Sequence, residues 1–237
     1  MSPLPQKLIA EGLGSLLLAA TVIGSGVMGE RLAGGNIAVA LLANTGATVA
    51  ILAVLIRLLG PVSGAHFNPV VTLIESLRNR ISWGLALSYV TVQIAGCCTG
   101  AVLAHAMFAL PLIQSSTHGR TGAAQWLAEF VATFGLLLVV LGHRRSRDAA
   151  WMVAAWIGAA YWFTASTSFA NPAITIARSL TNTFSGIRPH DVPGFIAAQL
   201  VGALTGLVVA RALFAVRPSA PVTTEDAAAP LKLSRHA

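Results

Sequence analysis

The chain has 237 residues, of which 55% are hydrophobic and only 10% charged, and its formal net charge is +7. Soluble domains carry about 25% charged residues, so with a mean hydropathy of +0.74 this chain lacks the polar side chain to cover a soluble surface, and part of that surface is expected to face lipid. The composition argues against a disordered protein, two adjacent cysteines (Cys97 and Cys98) give neither a disulfide framework nor a metal-ligand spacing, and the aromatics are not interleaved with basic residues as in a nucleic-acid module.

Six apolar runs follow one another, at about 8–29, 37–59, 81–113, 123–142, 149–170 and 193–216. Each reaches the roughly 20 residues that a helix needs to cross about 30 Å of hydrocarbon. Helices are the expected spanning element, because backbone groups in lipid must be satisfied within the segment. The first run follows Lys7 and ends in small residues, as a secretory signal does, but Glu11 within its apolar region argues against cleavage. Beyond the sixth run, 217–237 is rich in Pro, Ser, Thr and Ala without periodicity and reads as a disordered tail.

The basic residues set the expected orientation. Lys7, Arg57, Arg78, Arg80, Arg144, Arg145, Arg147, Arg211, Arg217, Lys232 and Arg235 fall on one side of six spans, against Arg31, Arg120, Arg178 and Arg188 on the other. Both termini are therefore expected in the cytoplasm, and the positive net charge is largely a topology signal.

The two halves, about 8–113 and 123–216, carry the same landmarks in the same order. Ala10-Glu11 is matched by Ala128-Glu129; Ser63-Gly-Ala-His-Phe-Asn-Pro-Val-Val-Thr72 by Ser166-Thr-Ser-Phe-Ala-Asn-Pro-Ala-Ile-Thr175; Gln93-Ile-Ala-Gly96 by Gln199-Leu-Val-Gly202. Each half holds three spans, an odd number, so the halves are expected to be inverted in the membrane. Pro69 and Pro172 suit the first position of a helix, where the missing N–H costs nothing, and Asn68 and Asn171 suit the cap. The apolar runs behind them are too short to span. They read as half-helices that dip in from opposite sides and meet near the centre, where irregular backbone is tolerated only around a cavity. Two positive dipole ends would then face one lumen and repel cations.

These paired Asn-Pro motifs in an inverted six-span repeat resemble the major intrinsic protein family, the aquaporins and aquaglyceroporins, over nearly all of 1–216. The resemblance implies an all-α membrane protein: an aquaporin-like bundle of six transmembrane helices plus two re-entrant half-helices, assembled as a homotetramer with one pore per subunit in the inner cell membrane. It implies that Asn68-Pro69-Val70 and Asn171-Pro172-Ala173 form the pore motif, with the asparagine amides offered to the permeating molecule. Carbonyls of Gly64 to Phe67 and of Thr167 to Ala170 would line the path, and His66 would stand at the pore entrance. Glu11 and Glu129, which in isolation suggest a proton relay, would be structural braces that accept hydrogen bonds from the re-entrant loops. Cys97 and Cys98 sit among small residues and are read as helix packing.

The chain departs from the family pattern at several points. Val70 replaces the usual alanine of the first motif, and Ile174 stands where the family places its filter arginine. Counting back from the Asn-Pro motifs puts the remaining filter positions at Thr48, Ala159 and Ser168, and small residues there imply a wide constriction. Arg178, four residues after Ile174 and so on the same helical face, is a candidate replacement for the missing cation. The aspartate of the glycerol-conducting branch is absent, and the pattern around Asn171 resembles bacterial members associated with arsenic resistance. The expected function is a passive channel for small uncharged solutes, metalloid acids such as arsenous acid and glycerol-like polyols among them, with water. No catalytic residues, cofactor, metal or nucleic-acid partner are expected. A water-selective aquaporin is the alternative within the class, and an inverted-repeat secondary transporter is the alternative outside it.

Overall fold

A computed structural model describes residues 2–143 and 148–214. The chain forms α1 (Leu4–Leu32), α2 (Ile37–Ser63), α3 (Pro69–Leu77), α4 (Trp83–Met107), α5 (Ala123–His143), α6 (Ala149–Phe163), α7 (Pro172–Arg178) and α8 (Val192–Leu213), with a 3-10 turn at Pro189–Asp191. α1, α2, α4, α5 and α8 are long and apolar enough to cross a membrane, and α6 is a shorter apolar helix. The tail at 217–237 and the basic residues Arg144, Arg145 and Arg147 lie outside the described residues.

Local chemistry sets the ends of the elements. Asn36 caps α2 by accepting from the N–H groups of Ala38 and Val39, and Ser82 caps α4 through Leu85. α2 stops at Gly64, whose φ of +97° closes the last turn in the left-handed conformation that glycine adopts without a side-chain penalty. Two of the apolar runs are only partly helical. α4 ends at Met107, after which the chain doubles back. His105 holds the returning loop by bonding the Leu112 carbonyl and the Thr181 hydroxyl, both at 2.8 Å. α6 ends at Phe163, and the rest of its apolar run becomes the irregular approach to α7. Hydropathy alone does not separate these cases, because a re-entrant loop buried in protein is as apolar as a helix.

The repeat is visible in the packing. α1 packs on α4 and α5 on α8 through matched glycines. A Cβ on Gly96 would lie 2.3 Å from the Gly12 carbonyl oxygen, and one on Gly202 would lie 2.5 Å from that of Phe130. These approaches bring helix backbones together without side chains between them, the arrangement that small residues permit in membranes. Cys97 is buried in the α1–α4 seam, its Sγ 3.5 Å from the Ser15 carbonyl. Gly202→Ala is expected to destabilise the protein by about 1–3 kcal/mol, since the obstacle is backbone and overpacking there forces a helix shift. Gly84→Ala, where nothing lies within 4 Å, is the control. A detergent melting curve that gives both variants the same midpoint would contradict this account of the seam.

Candidate pore

α3 and α7 meet N-terminus to N-terminus, and the contact is reciprocal. The Asn68 side-chain N–H donates to the Ala170 carbonyl at 2.8 Å, and that of Asn171 donates to the Phe67 carbonyl at 2.8 Å. Each asparagine also caps its own half-helix, Asn68 through the N–H of Val70 and Asn171 through those of Ala173 and Ile174. Pro69 and Pro172 begin the half-helices, where no intrahelical donor is needed. Each amide nitrogen keeps a second N–H, and both asparagines line the cavity described below.

The loops before the asparagines hold an unusual backbone. Ala65 and Phe67 have φ of +50° and +47°, and Thr167, Ser168 and Ala170 have +61°, +51° and +48°. Left-handed non-glycine residues cost on the order of 1–3 kcal/mol each and persist only where the surroundings impose them. Here two buried carboxylates do so. Glu11 accepts from the Ser63 hydroxyl (2.7 Å), the His66 and Phe67 N–H groups (2.9 and 2.8 Å) and the Gln93 amide (2.8 Å). Glu129 accepts from the Phe169 and Ala170 N–H groups (2.8 and 2.9 Å) and the Gln199 amide (2.6 Å). Gln93 and Gln199 in turn donate to Thr72 and Thr175, the matched threonines of the half-helices.

A cavity of about 660 Å³ runs past this junction. Toward one mouth it is lined by Arg57, Gly60, Pro61, His66 and Glu75; toward the other by Thr48, Tyr161, Ser168, Phe169, Ile174 and Arg178. Asn68 and Asn171 stand between, and Leu52, Leu136, Val153 and Ile157 form an apolar wall. His66 sits against Thr72, its Nδ1 3.0 Å from the Thr72 hydroxyl, and meets the Tyr89 ring edge-on. Val70 does not line the cavity. It is buried in the core, where the surrounding aliphatic side chains take up its extra methyl groups.

Ala159 is not brought to this group. It lies on the exposed face of α6, while Ala150, Val153, Ile157 and Tyr161 of the same helix line the cavity. Residues 157 and 161 are four apart and share a face, whereas 159 is turned about 200° from each. Counting back from Asn171 crosses the irregular segment 164–170, which transmits no helical phase. On α6 the cavity is therefore lined by Tyr161, where the small residue Ala159 was expected. The Thr48 hydroxyl donates to the Asn44 carbonyl (2.8 Å), which uses its one proton. The 3.2 Å contact between Thr48 and Tyr161 is then donated by Tyr161, and the phenolic oxygen keeps its lone pairs as an acceptor. Residues 149–163 are apolar on every face, so the sequence carried no signal that picks 161 over 159.

Arg178 is buried, with 2% of its surface exposed. Its Nε donates to the Ser185 carbonyl, and its guanidinium carbon lies 3.4 Å from the centre of the Phe169 ring. Nη1 and the Ser168 hydroxyl have no hydrogen-bond partner among the described residues, and both residues line the cavity. Arg120, which sequence reasoning used only for orientation, secures the surroundings. It donates to the carbonyls of Gly186 (2.8 Å) and Ser166 (3.3 Å), and its N–H is held by Asp191 (2.8 Å). Burial pushes its guanidinium below the ordinary range, with Glu129 and Tyr161 opposing that shift.

Two inverted three-span units, two half-helices meeting at their capped N-termini and a lumen through the junction define a membrane pore protein. The profile of the major intrinsic protein family matches residues 2–161. The chain is 52% identical to Aquaglyceroporin AqpS of Rhizobium meliloti (strain 1021) over 221 residues, which cover 92% of this chain and 94% of that protein. It is 31% identical to Aquaporin A of Dictyostelium discoideum over 223 residues, 88% of this chain and 78% of that one. The chain therefore belongs to the major intrinsic protein family. The X-ray structure of the aquaglyceroporin from Plasmodium falciparum superimposes with a TM-score of 0.65, covering 90% of this chain and 96% of that one; at 20% identity this likeness concerns the fold.

Proposed function

We propose that the chain is a passive channel of aquaglyceroporin type, passing glycerol-like polyols and uncharged metalloid acids such as arsenous acid, together with water. The carrying observation is the two-sided lumen beside Arg178. Ile157, Ile174 and Leu52 give an apolar wall, while Tyr161, Ser168 and Arg178 line the other side, the last two with a polar atom that has no hydrogen-bond partner among the described residues. A compact trihydroxy solute presents the same division, hydroxyls on one side and a carbon or metalloid body on the other. Pore width and lining groups set selectivity. The name of the 52% identical relative supports the same class.

The fate of Glu11 and Glu129 favours a channel over an ion-coupled carrier. Both are fully buried and their oxygens are taken up by backbone and amide donors, so they serve as braces and not as a proton relay. We place the protein in the inner cell membrane with both termini in the cytoplasm, on the basic-residue asymmetry, and assign it a homotetramer by its family. On this reading Thr48, Tyr161, Ser168, Ile174 and Arg178 form the filter and His66 lies at the cytoplasmic entrance.

Stopped-flow uptake in reconstituted vesicles tests the function. Glycerol and arsenite uptake that is linear in concentration and does not accumulate against a gradient is expected; saturable, gradient-driven accumulation would overturn it. Tyr161→Phe is expected to slow glycerol several-fold, the weight of about 1 kcal/mol for one hydrogen bond, and to lower the thermal midpoint by about 2–4 °C through the lost bond to Thr48. Unaltered glycerol flux in that variant removes Tyr161 from the filter.

A further inference from the structure

Ser185 lies outside the pore motifs, yet Arg178 is held through it. Its carbonyl accepts from Arg178 Nε, and its own hydroxyl donates to the Val22 carbonyl of α1 at 3.0 Å. Ser185 is fully buried and does not line the cavity. We propose that the Ser185 side chain is a positioning residue of the filter: anchored to α1, it sets where the Arg178 guanidinium stands and so which polyols pass. The proposal rests on the channel reading above.

The anchor point serves both polar arms of the proposed filter. The Val22 carbonyl also accepts from the Asn44 side chain at 2.7 Å, and the same amide donates to Ser25 Oγ at 2.9 Å. The Asn44 carbonyl takes the Thr48 hydroxyl, which meets Tyr161. A connected run therefore passes from Tyr161 through Thr48, Asn44 and Val22 to Ser185 and Arg178. The turn at 183–187 has other ties. Arg120 donates to the Gly186 carbonyl at 2.8 Å, and the Ile187 N–H donates to the Arg178 carbonyl at 3.1 Å. These join the turn to α7 and to the loop before α5, whereas the Ser185 hydroxyl joins it to α1.

The room for this bond is made on α1 itself. Gly26 stands one turn after Val22, and a Cβ there would overlap the Ser185 hydroxyl. The next contacts of such a Cβ, Phe184 at 3.5 Å and the Ser185 Cβ at 3.6 Å, are ordinary ones. A methyl group at 26 is therefore opposed by the hydroxyl at 185 and by little else.

The full chain is reconstituted in vesicles, and stopped-flow uptake of glycerol and of ribitol, a five-carbon polyol, is measured at equal protein abundance. Ser185→Ala is expected to raise the ribitol-to-glycerol ratio about fivefold, the weight of one hydrogen bond, in the same direction as Arg178→Ala. Placed on Arg178→Ala it should change the ratio no further, because residues that act through one another are not additive. A general loss of packing would not show that dependence. Gly26→Ala should raise the ratio in the wild type and have little effect on Ser185→Ala, where its methyl has room. Where Ser185→Ala inserts poorly, Gly26→Ala with and without Arg178→Ala makes the same comparison. A Ser185→Ala protein with the wild-type ratio, or with an effect that persists in full on Arg178→Ala, overturns the proposal and leaves the channel reading standing. Wild-type protein that passes neither glycerol nor water overturns both.

Discussion

Arg178→Ala is expected to change what the channel passes more than any other substitution in the lumen. The variant should raise the permeability of a five-carbon polyol relative to glycerol by about tenfold. Two effects of the same sign produce this. On the proposed filter, the variant removes the side chain that lines the path beside Ser168 and Ile174. A charged donor is also lost, and a hydrogen bond to a charged group contributes about 1.5–3 kcal/mol. Arg178→Lys should not restore the wild-type ratio. Lysine carries the charge but lacks the planar fork that donates to the Ser185 carbonyl and lies against Phe169. Equal polyol-to-glycerol ratios in wild type and Arg178→Ala, at equal abundance in the membrane, would show that this arginine is not part of the filter.

The largest effect on folding is expected at Glu129. Alanine there leaves the N–H groups of Phe169 and Ala170 and the amide of Gln199 buried without their acceptor. Each such donor costs about 1–3 kcal/mol, and the left-handed residues Thr167, Ser168 and Ala170 lose what holds them. A total of about 3–5 kcal/mol would lower the thermal midpoint by roughly 10 °C for a chain of this size, so the variant should be nearly absent from the membrane. Glu129→Gln should fall between. It keeps one acceptor oxygen but turns an amide donor toward N–H groups that are themselves donors. The repeat makes the same prediction for Glu11, where the ligands are His66, Phe67, Ser63 and Gln93. A Glu129→Ala protein that melts like the wild type would show that the brace carries no such load.

Much of this architecture was legible because its signals are local or repeated. Six apolar runs mark the membrane segments, since lipid requires each segment to satisfy its own backbone. Asn-Pro followed by a short apolar run marks a capped half-helix. Glu11 and Glu129 recur at the same place in each half, and the family resemblance made them braces; both accept hydrogen bonds from the loops ahead of the half-helices. Ala159 was misplaced for a different reason. Its position came from a count across an irregular segment, and an error of two residues rotates a helical position by about 200°.

By itself, the sequence determined that the chain lives in a membrane, that it is built from two inverted halves, and that each half turns inward at an Asn-Pro. Those features follow from composition, hydropathy and short-range backbone preference, which depend on neighbours along the chain. Tertiary structure alone decided what the lumen offers to a solute. Tyr161 replaces Ala159 on the inner face of α6, Phe169 and Ser185 aim Arg178, and Glu75 comes to face the same cavity from the other half. Each of these depends on the phase of one helix against another and on carbonyls far away in the chain, which no local pattern of residues specifies.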